Sequence, residues 1–253
     1  MSAVSDPCSL RVRIHSRLRT EHETIYGEQE SMDPKLISCR VMVEELRPFL
    51  PDQIAVEVLE IGLHVSPEQL QRRLQEAIDA SDGLYDPIYL GYGMCSKAVL
   101  GLVARKSRLI VPKSDDCIEI FLGSRKARLD EVANEPGTYF LTQGHIGDGN
   151  SMVFAEYERA VSRYGKERAA RLLRTMMGHY KRLVYIRMPN QESLEPDREY
   201  AQAMAARFGL RYEEVVGTPE WLRRMMAQRW DEDFVVVQPG ERIELKHFYS
   251  YSS

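Results

Sequence analysis

The sequence predicts an α/β fold, a mostly parallel, Rossmann-like sheet with helices on both faces. Three observations carry this. Short apolar runs recur along the chain, amphipathic stretches of helical length separate them, and Gly or Pro sits close to most of the runs. Strands separated by that much chain pair in parallel, because a parallel crossover takes a dozen or more residues.

The predicted strands are Leu36–Ser38, Ile54–Leu59, Pro87–Leu90, Leu109–Val111, Tyr139–Leu141, Leu183–Ile186 and Phe234–Val237, all rich in Val, Ile and Tyr. Between them, "SPEQLQRRLQEAIDAS" is the clearest helix. Ser66 is an N-cap residue, Pro67 fits the first helical position, Gln69 completes a capping box, and Leu70, Leu74, Ala77 and Ile78 recur at helical spacing. Further helices are predicted over Val41–Phe49, Asp116–Ala133, Ala155–Gly165, Ala169–His179, Pro196–Phe208 and Pro219–Arg229. The glycine-rich stretch Gln143–Asn150 divides the chain into halves, 34–150 and 151–253, which read as two lobes of one domain. Residues 1–33 read as a polar N-terminal extension, in which arginines such as Arg11 and Arg13 mix with glutamates such as Glu21 and Glu23.

The 253 residues are 43% hydrophobic and 28% charged, which suits a globular chain able to bury a sizeable core. A net charge of −4 argues against a nucleic-acid binder. Arginines cluster in Arg163–Arg174 and Arg223–Arg229, but glutamates and apolar residues are mixed among them, as on solvated helix faces. No apolar run approaches the ~20 residues of a membrane span, and the N-terminus has no signal-peptide core. The expectation is a cytoplasmic protein. Its four cysteines, Cys8, Cys39, Cys95 and Cys117, are then read as core, metal or catalytic residues rather than disulfides.

Three of them share one placement. Cys39 ends the first strand just before a helix. Cys95 follows Gly91-Tyr92-Gly93 at the next such turn and is expected to open a helix. Cys117 follows Ser114-Asp115-Asp116 at a third. In a parallel sheet such turns lie along one edge, where ligands of open α/β folds bind. Helix N-termini favour thiolates, and thiolates are what zinc and iron–sulfur clusters require. Each cysteine alone is well explained as a small buried hydrophobe; three at equivalent turns favour a metal site. Cys8 in the extension is read as a bystander.

Three thiolates leave a coordination position open, the mark of a reactive site. An iron–sulfur cubane (4Fe-4S) is the favoured occupant and zinc the alternative. His145, in "QGHIGDG", is the candidate fourth ligand or acid/base, with a solvated loop histidine as the plain reading; His64 before its helix is a weaker one. Asp116 is a candidate catalytic carboxylate, and Asp115 and Asp116 also suit helix capping. Gly91 and Gly93 let the backbone turn beside a bulky ligand, and Lys97 and Lys113 suit an anionic substrate. Phosphate loops, dinucleotide fingerprints and hydrolase nucleophile elbows are not present in the sequence.

The segments "EIGLHVSPEQLQRRLQEAID", "YDPIYLGYGMCSKAVLGL", "DDCIEIFLGSR", "EPGTYFLTQG" and "VVGTPEWLRRMMAQRWDEDFVVVQPGERI" resemble, in order, those of an uncharacterised prokaryotic domain-of-unknown-function family. Its genes often lie beside corrinoid-dependent methyltransferases and corrinoid proteins. The resemblance spans roughly Leu36 to Ile243, and the family pattern has cysteines at Cys39, Cys95 and Cys117. It differs in having glycine and asparagine at Ser96 and Lys97, histidine at Asp115 and commonly tryptophan at His145, which implies a different substrate here. Together, residues and resemblance lead to an expected metalloenzyme of methyl or one-carbon metabolism acting on a small thiol, methylated compound or acid. The rivals are a non-catalytic accessory protein or metallochaperone partnering a corrinoid protein or methyltransferase, and a zinc-dependent methyltransferase. The oligomeric state is left open, a homo-oligomer included.

Overall fold

A computed structural model describes residues 32–94, 97–146, 152–189 and 194–249, all within the unit Met32–Ser253. Residues 1–31, with Cys8, and Cys95 lie outside the described residues. The strands are β1 (Lys35–Cys39), β2 (Ala55–Leu59), β3 (Ile88–Gly91), β4 (Leu109–Pro112), β5 (Thr138–Leu141), β6 (Arg182–Arg187), β7 (Arg211–Val216) and β8 (Phe234–Val237). The α-helices are α1 (Arg40–Leu46), α2 (Pro67–Ser81), α3 (Cys117–Leu122), α4 (Arg125–Asn134), α5 (Gln143–Ile146), α6 (Met152–Tyr164), α7 (Lys166–Met177), α8 (Leu194–Phe208) and α9 (Glu220–Met226).

The larger sheet has the order β2-β1-β3-β4-β8, parallel throughout except for β8, which runs antiparallel to β4. Strands β3 and β4 are buried along their whole length, as central parallel strands covered on both faces must be. At the edge, β2 leaves Val56 and Val58 exposed. A smaller, all-parallel sheet has the order β5-β6-β7. The two sheets do not divide at the glycine-rich stretch, since β5 precedes it and β8 returns to the larger sheet.

Local chemistry explains most boundaries and several departures from the sequence-based expectation. Helix α2 buries Leu70, Leu74, Ala77 and Ile78, yet the Ser66 hydroxyl makes no cap bond and lies 3.4 Å from the Glu68 carboxylate, so the expected capping box does not form. The helix expected over Asp116–Ala133 is two helices. Gly123 adopts φ 86° as the left-handed C-cap of α3, and the Ser124 hydroxyl accepts from the Ala127 amide, 3.1 Å, to start α4. Strand β7 is missing from the expectation because Arg-Tyr-Glu-Glu-Val-Val is a polar edge strand whose charges are paired, Glu213 with Arg182 and Glu214 with Arg198. No α-helix follows β3 among the described residues: Lys97, at φ 66°, is 3-10 helical and 98–101 are turns.

The smaller sheet is pinned internally by Arg182, which is buried and donates to Thr138 (3.0 Å), Glu131 (2.9 Å) and Glu213 (2.7 Å). It meets the larger one where α5 lies on α1 and where Val184, Ile186 and Met188 join the main core. The Gly144 amide donates to the buried Glu45 carboxylate at 2.6 Å. A side chain at Gly144 would sit 2.6 Å from the Val41 carbonyl oxygen and 2.9 Å from its Cα, so α5 can lie on the first turn of α1 only with glycine there. Because these neighbours are backbone, Gly144→Ala should cost about 1–3 kcal/mol. Urea unfolding checks this; an unchanged midpoint would mean that α5 does not rest on α1 this closely.

Candidate functional site at the carboxyl edge of the larger sheet

Strands β2, β1, β3 and β4 run parallel, so their carboxyl ends share one edge. The chain leaves β1 for β2 on one side, and leaves β3 for β4 on the other. The order therefore reverses between β1 and β3, the switch point where open α/β sheets bind ligands. Cys39 is the last residue of β1, and Gly91-Tyr92-Gly93-Met94 leads from β3 to position 95. Cys117 begins α3, just after β4. The three strands concerned are immediate neighbours.

Their turns interlock. The Ser38 hydroxyl donates to the Gly91 carbonyl at 2.8 Å, and the Met94 amide donates to the Ser114 carbonyl at 2.7 Å. Side chains at Gly91 and Gly93 would collide with Ser38 and Ser114 respectively. The two glycines thus admit the neighbouring strand ends, with Ser38 and Ser114 packed directly against them. The Ser114 hydroxyl is buried and has no hydrogen-bond partner among the described residues.

Cys39 is 5% exposed and belongs to the main core. Burial pushes its thiol up, while the Val41 and Met42 amides at the start of α1 pull it down without a formed cap bond. Burial wins, so the helix terminus alone does not make this sulfur a thiolate. Cys117 is partly exposed and packs at the rim of the same core. Cys95 lies outside the described residues, although Met94 before it is fixed to Ser114. Among the described residues, no three His, Cys, Asp or Glu side chains come together as a metal-holding group.

Asp116 is a helix cap. Its carboxylate accepts from the Glu119 amide at 3.0 Å and lies 3.5 Å from the Arg128 guanidinium. Glu119 is buried, accepts from the Asp115 amide at 2.9 Å, and has its carboxyl pushed up chiefly by burial. Asp115 binds Arg125 (2.9 Å) and accepts from the Tyr249 hydroxyl (2.8 Å), which also lies 4.0 Å from the Met94 sulfur. Sequence reasoning missed Tyr249, because no pattern links the chain end to the β3 and β4 turns. Lys97 is exposed.

Two histidines gather over the end of β1. His64 follows β2 and donates Nδ1–H to the Ile61 carbonyl, 3.1 Å, which leaves Nε2 as an acceptor. Its ring stacks on Tyr92 at 5.9 Å. Since Tyr92 follows β3, this contact bridges the end of β1, the strand between β2 and β3. His145 arrives on α5 from the smaller sheet, with Nδ1 2.9 Å from the Thr142 hydroxyl. Its imidazole is pushed down to about 4, first by burial and then by the nearby His64. His64 is also lowered by burial. Both rings are neutral at neutral pH, so they can take up a proton or offer a lone pair.

The unfolded chain protonates His145 near 6.5 and the folded chain near 4, so the unfolded state binds more proton between those values. The stabilisation is fully present above 6.5 and is lost as pH falls through 4. His145→Gln should therefore flatten the pH dependence of urea midpoints across this window. In the wild type the His145 C2 proton resonance should stay fixed until the pH drops well below 6.5. A resonance titrating near 6.5 would show that the ring is solvated.

Over residues 58–226 the chain matches the profile of a family described as "Protein of unknown function (DUF1638)". His64, Cys95, Cys117 and His145 fall inside that span and Cys39 precedes it. No curated protein matches the chain. A 2.75 Å crystal structure of an uncharacterized protein from Bacillus cereus ATCC 10987 aligns at 6% identity with a TM-score of 0.23, covering 82% of this chain and 63% of that one. A likeness of that size transfers neither fold nor function. The family match, in contrast, spans more than half of the sequence, and the chain belongs to this DUF1638 family.

Proposed function

We propose that the protein is a metal-dependent enzyme whose centre is held by Cys39, Cys95 and Cys117, with an iron–sulfur cluster favoured over zinc. The observation that carries this is the adjacency of β1, β3 and β4, whose parallel carboxyl ends lead into these three residues at the switch point. The donor chemistry fits such a group, with a buried sulfur at Cys39, amides of Val41 and Met42 directed at it, and the orphaned Ser114 hydroxyl beside the β3 turn. A bound cluster or zinc would supply Lewis acidity at an open coordination position.

The chain's own residues do the rest. The packed turns keep water from Cys39. Neutral His145 moves a proton at the rim, and His64 Nε2 accepts a hydrogen bond there. Asp116 and Glu119 hold the start of α3, and thereby Cys117, in place. The substrate class is a small thiol, methylated compound or acid of methyl or one-carbon metabolism. This part rests on the resemblance to proteins encoded beside corrinoid-dependent methyltransferases. An accessory role toward a corrinoid protein is the second reading, since the same resemblance favours it; an enzyme turns over alone, whereas an accessory protein changes only another protein's rate.

Protein purified without oxygen should carry iron and sulfide, or zinc. Each of Cys39→Ser, Cys95→Ser and Cys117→Ser should lose most of it while circular dichroism shows a folded chain, and Cys8→Ser should retain it. Broad absorbance near roughly 400 nm identifies a cluster. Full metal content in Cys95→Ser contradicts the three-cysteine centre.

A further inference from the structure

Helices α6 and α7 form a hairpin about Gly165, which adopts φ 80°. Helix α7 buries only Ala169, Leu173 and Met177, one residue in four. Beside that narrow stripe, Leu172 and Met176 are 43% and 54% exposed, and Tyr164 at the end of α6 is 45% exposed. The Arg168 guanidinium lies 5.5 Å from the centre of the Tyr164 ring. On α7, Arg168, Leu172 and Met176 are spaced four apart on one face, with Leu172 and Met176 its exposed apolar pair, and the Tyr164 ring of α6 adjoins Arg168 across the turn.

The charge around it is one-sided. Residues 157–177 hold six basic side chains against two acidic ones, in a chain of net charge −4. Several arginines elsewhere are paired, as Arg105 is with Asp79, Arg125 with Asp115 and Arg198 with Glu214, whereas Arg223 and Arg242 stand singly rather than in a cluster. On the hairpin Arg163, Arg168, Arg171 and Arg174 have no carboxylate partner among the described residues. Apolar surface rimmed by polar groups marks interaction sites, and unneutralised charge selects the partner.

We infer that the α6–α7 hairpin is a docking surface for a protein partner presenting an amphipathic helix with an apolar stripe flanked by carboxylates. A second copy of this chain would bring like charges together. Duplex nucleic acid would use the arginines but not the Leu172–Met176 stripe, and the remainder of the chain is acidic. Two exposed apolar side chains on α7 are too few to hold a helix in a membrane interface.

The test uses the full chain and a synthetic helical peptide with leucines at i, i+4 and i+7 flanked by glutamates, followed by fluorescence anisotropy. Controls are the same peptide with lysines, phosphatidylserine vesicles, duplex DNA and sedimentation of the protein alone. The acidic peptide should bind, more weakly as salt rises. Affinity should drop at least about tenfold in the double variant Arg168→Glu, Arg171→Glu, and severalfold in Leu172→Ser. Circular dichroism should not change, since these side chains are exposed. The inference is overturned if the acidic peptide fails to bind or binds the variants equally well. Preference for lysine peptide, vesicles or DNA, or self-association through this face, overturns it too. The metal centre plays no part in this measurement, so either reading can fail alone.

Discussion

Parallel pairing of β3 between β1 and β4 is the constraint on which the rest of the structure depends. It sets three carboxyl ends side by side, about 4.8 Å from one strand to the next. The turns then lock through the Ser38–Gly91 and Met94–Ser114 hydrogen bonds, which require glycine at positions 91 and 93. A residue with a side chain at either position would force the strand ends apart, and with them the elements bearing Cys39 and Cys117. Packing and candidate chemistry are in this sense one problem: what makes the edge tight also gathers its sulfur-bearing turns.

Two opposing effects shape that edge. Helix N-termini offer N–H groups to sulfur, and burial withholds water from it. At Cys39 burial is the larger, so the side chain is a neutral thiol whose sulfur faces the amides of α1. The same desolvation keeps His145 neutral. Neutral thiol and neutral imidazole leave the end of β1 with little fixed charge of its own. Around Cys39 an arriving cation or charged ligand would then be met by lone pairs and amides, while the ion pairs of this edge, Asp115 with Arg125 and Asp116 with Arg128, stand at the start of α3. The close approach of Gly144 to Val41 brings His145, from the smaller sheet, to the larger sheet's edge.

Much of this was legible in the residues. Periodicity locates seven of the eight described strands, because buried parallel strands read as continuous Val, Ile and Leu runs. The eighth, β7, escapes because its glutamates are satisfied by arginines from elsewhere in the fold. The α3–α4 break was written in Gly123-Ser124, a left-handed C-cap followed by an N-cap, but the surrounding helical period masks it. The clustering of candidate residues on one edge follows from strand alternation alone; which strands are neighbours does not. Nothing local in the sequence tells that β3 inserts beside β1, that His64 reaches Tyr92 across the end of β1, or that Tyr249 returns to Asp115. Asp116 shows the opposite limit: a carboxylate before a helix reads equally well as acid or as cap, and only the Glu119 amide at 3.0 Å decides for the cap.

The proposed function requires that Cys39, Cys95 and Cys117 share one metal centre. X-ray absorption at the metal edge of protein purified without oxygen tests this most directly, because it counts sulfurs around the metal without reference to activity. The prediction is a shell of at least three sulfurs at about 2.3 Å. A first shell of nitrogen and oxygen, or one with a single sulfur, would contradict it.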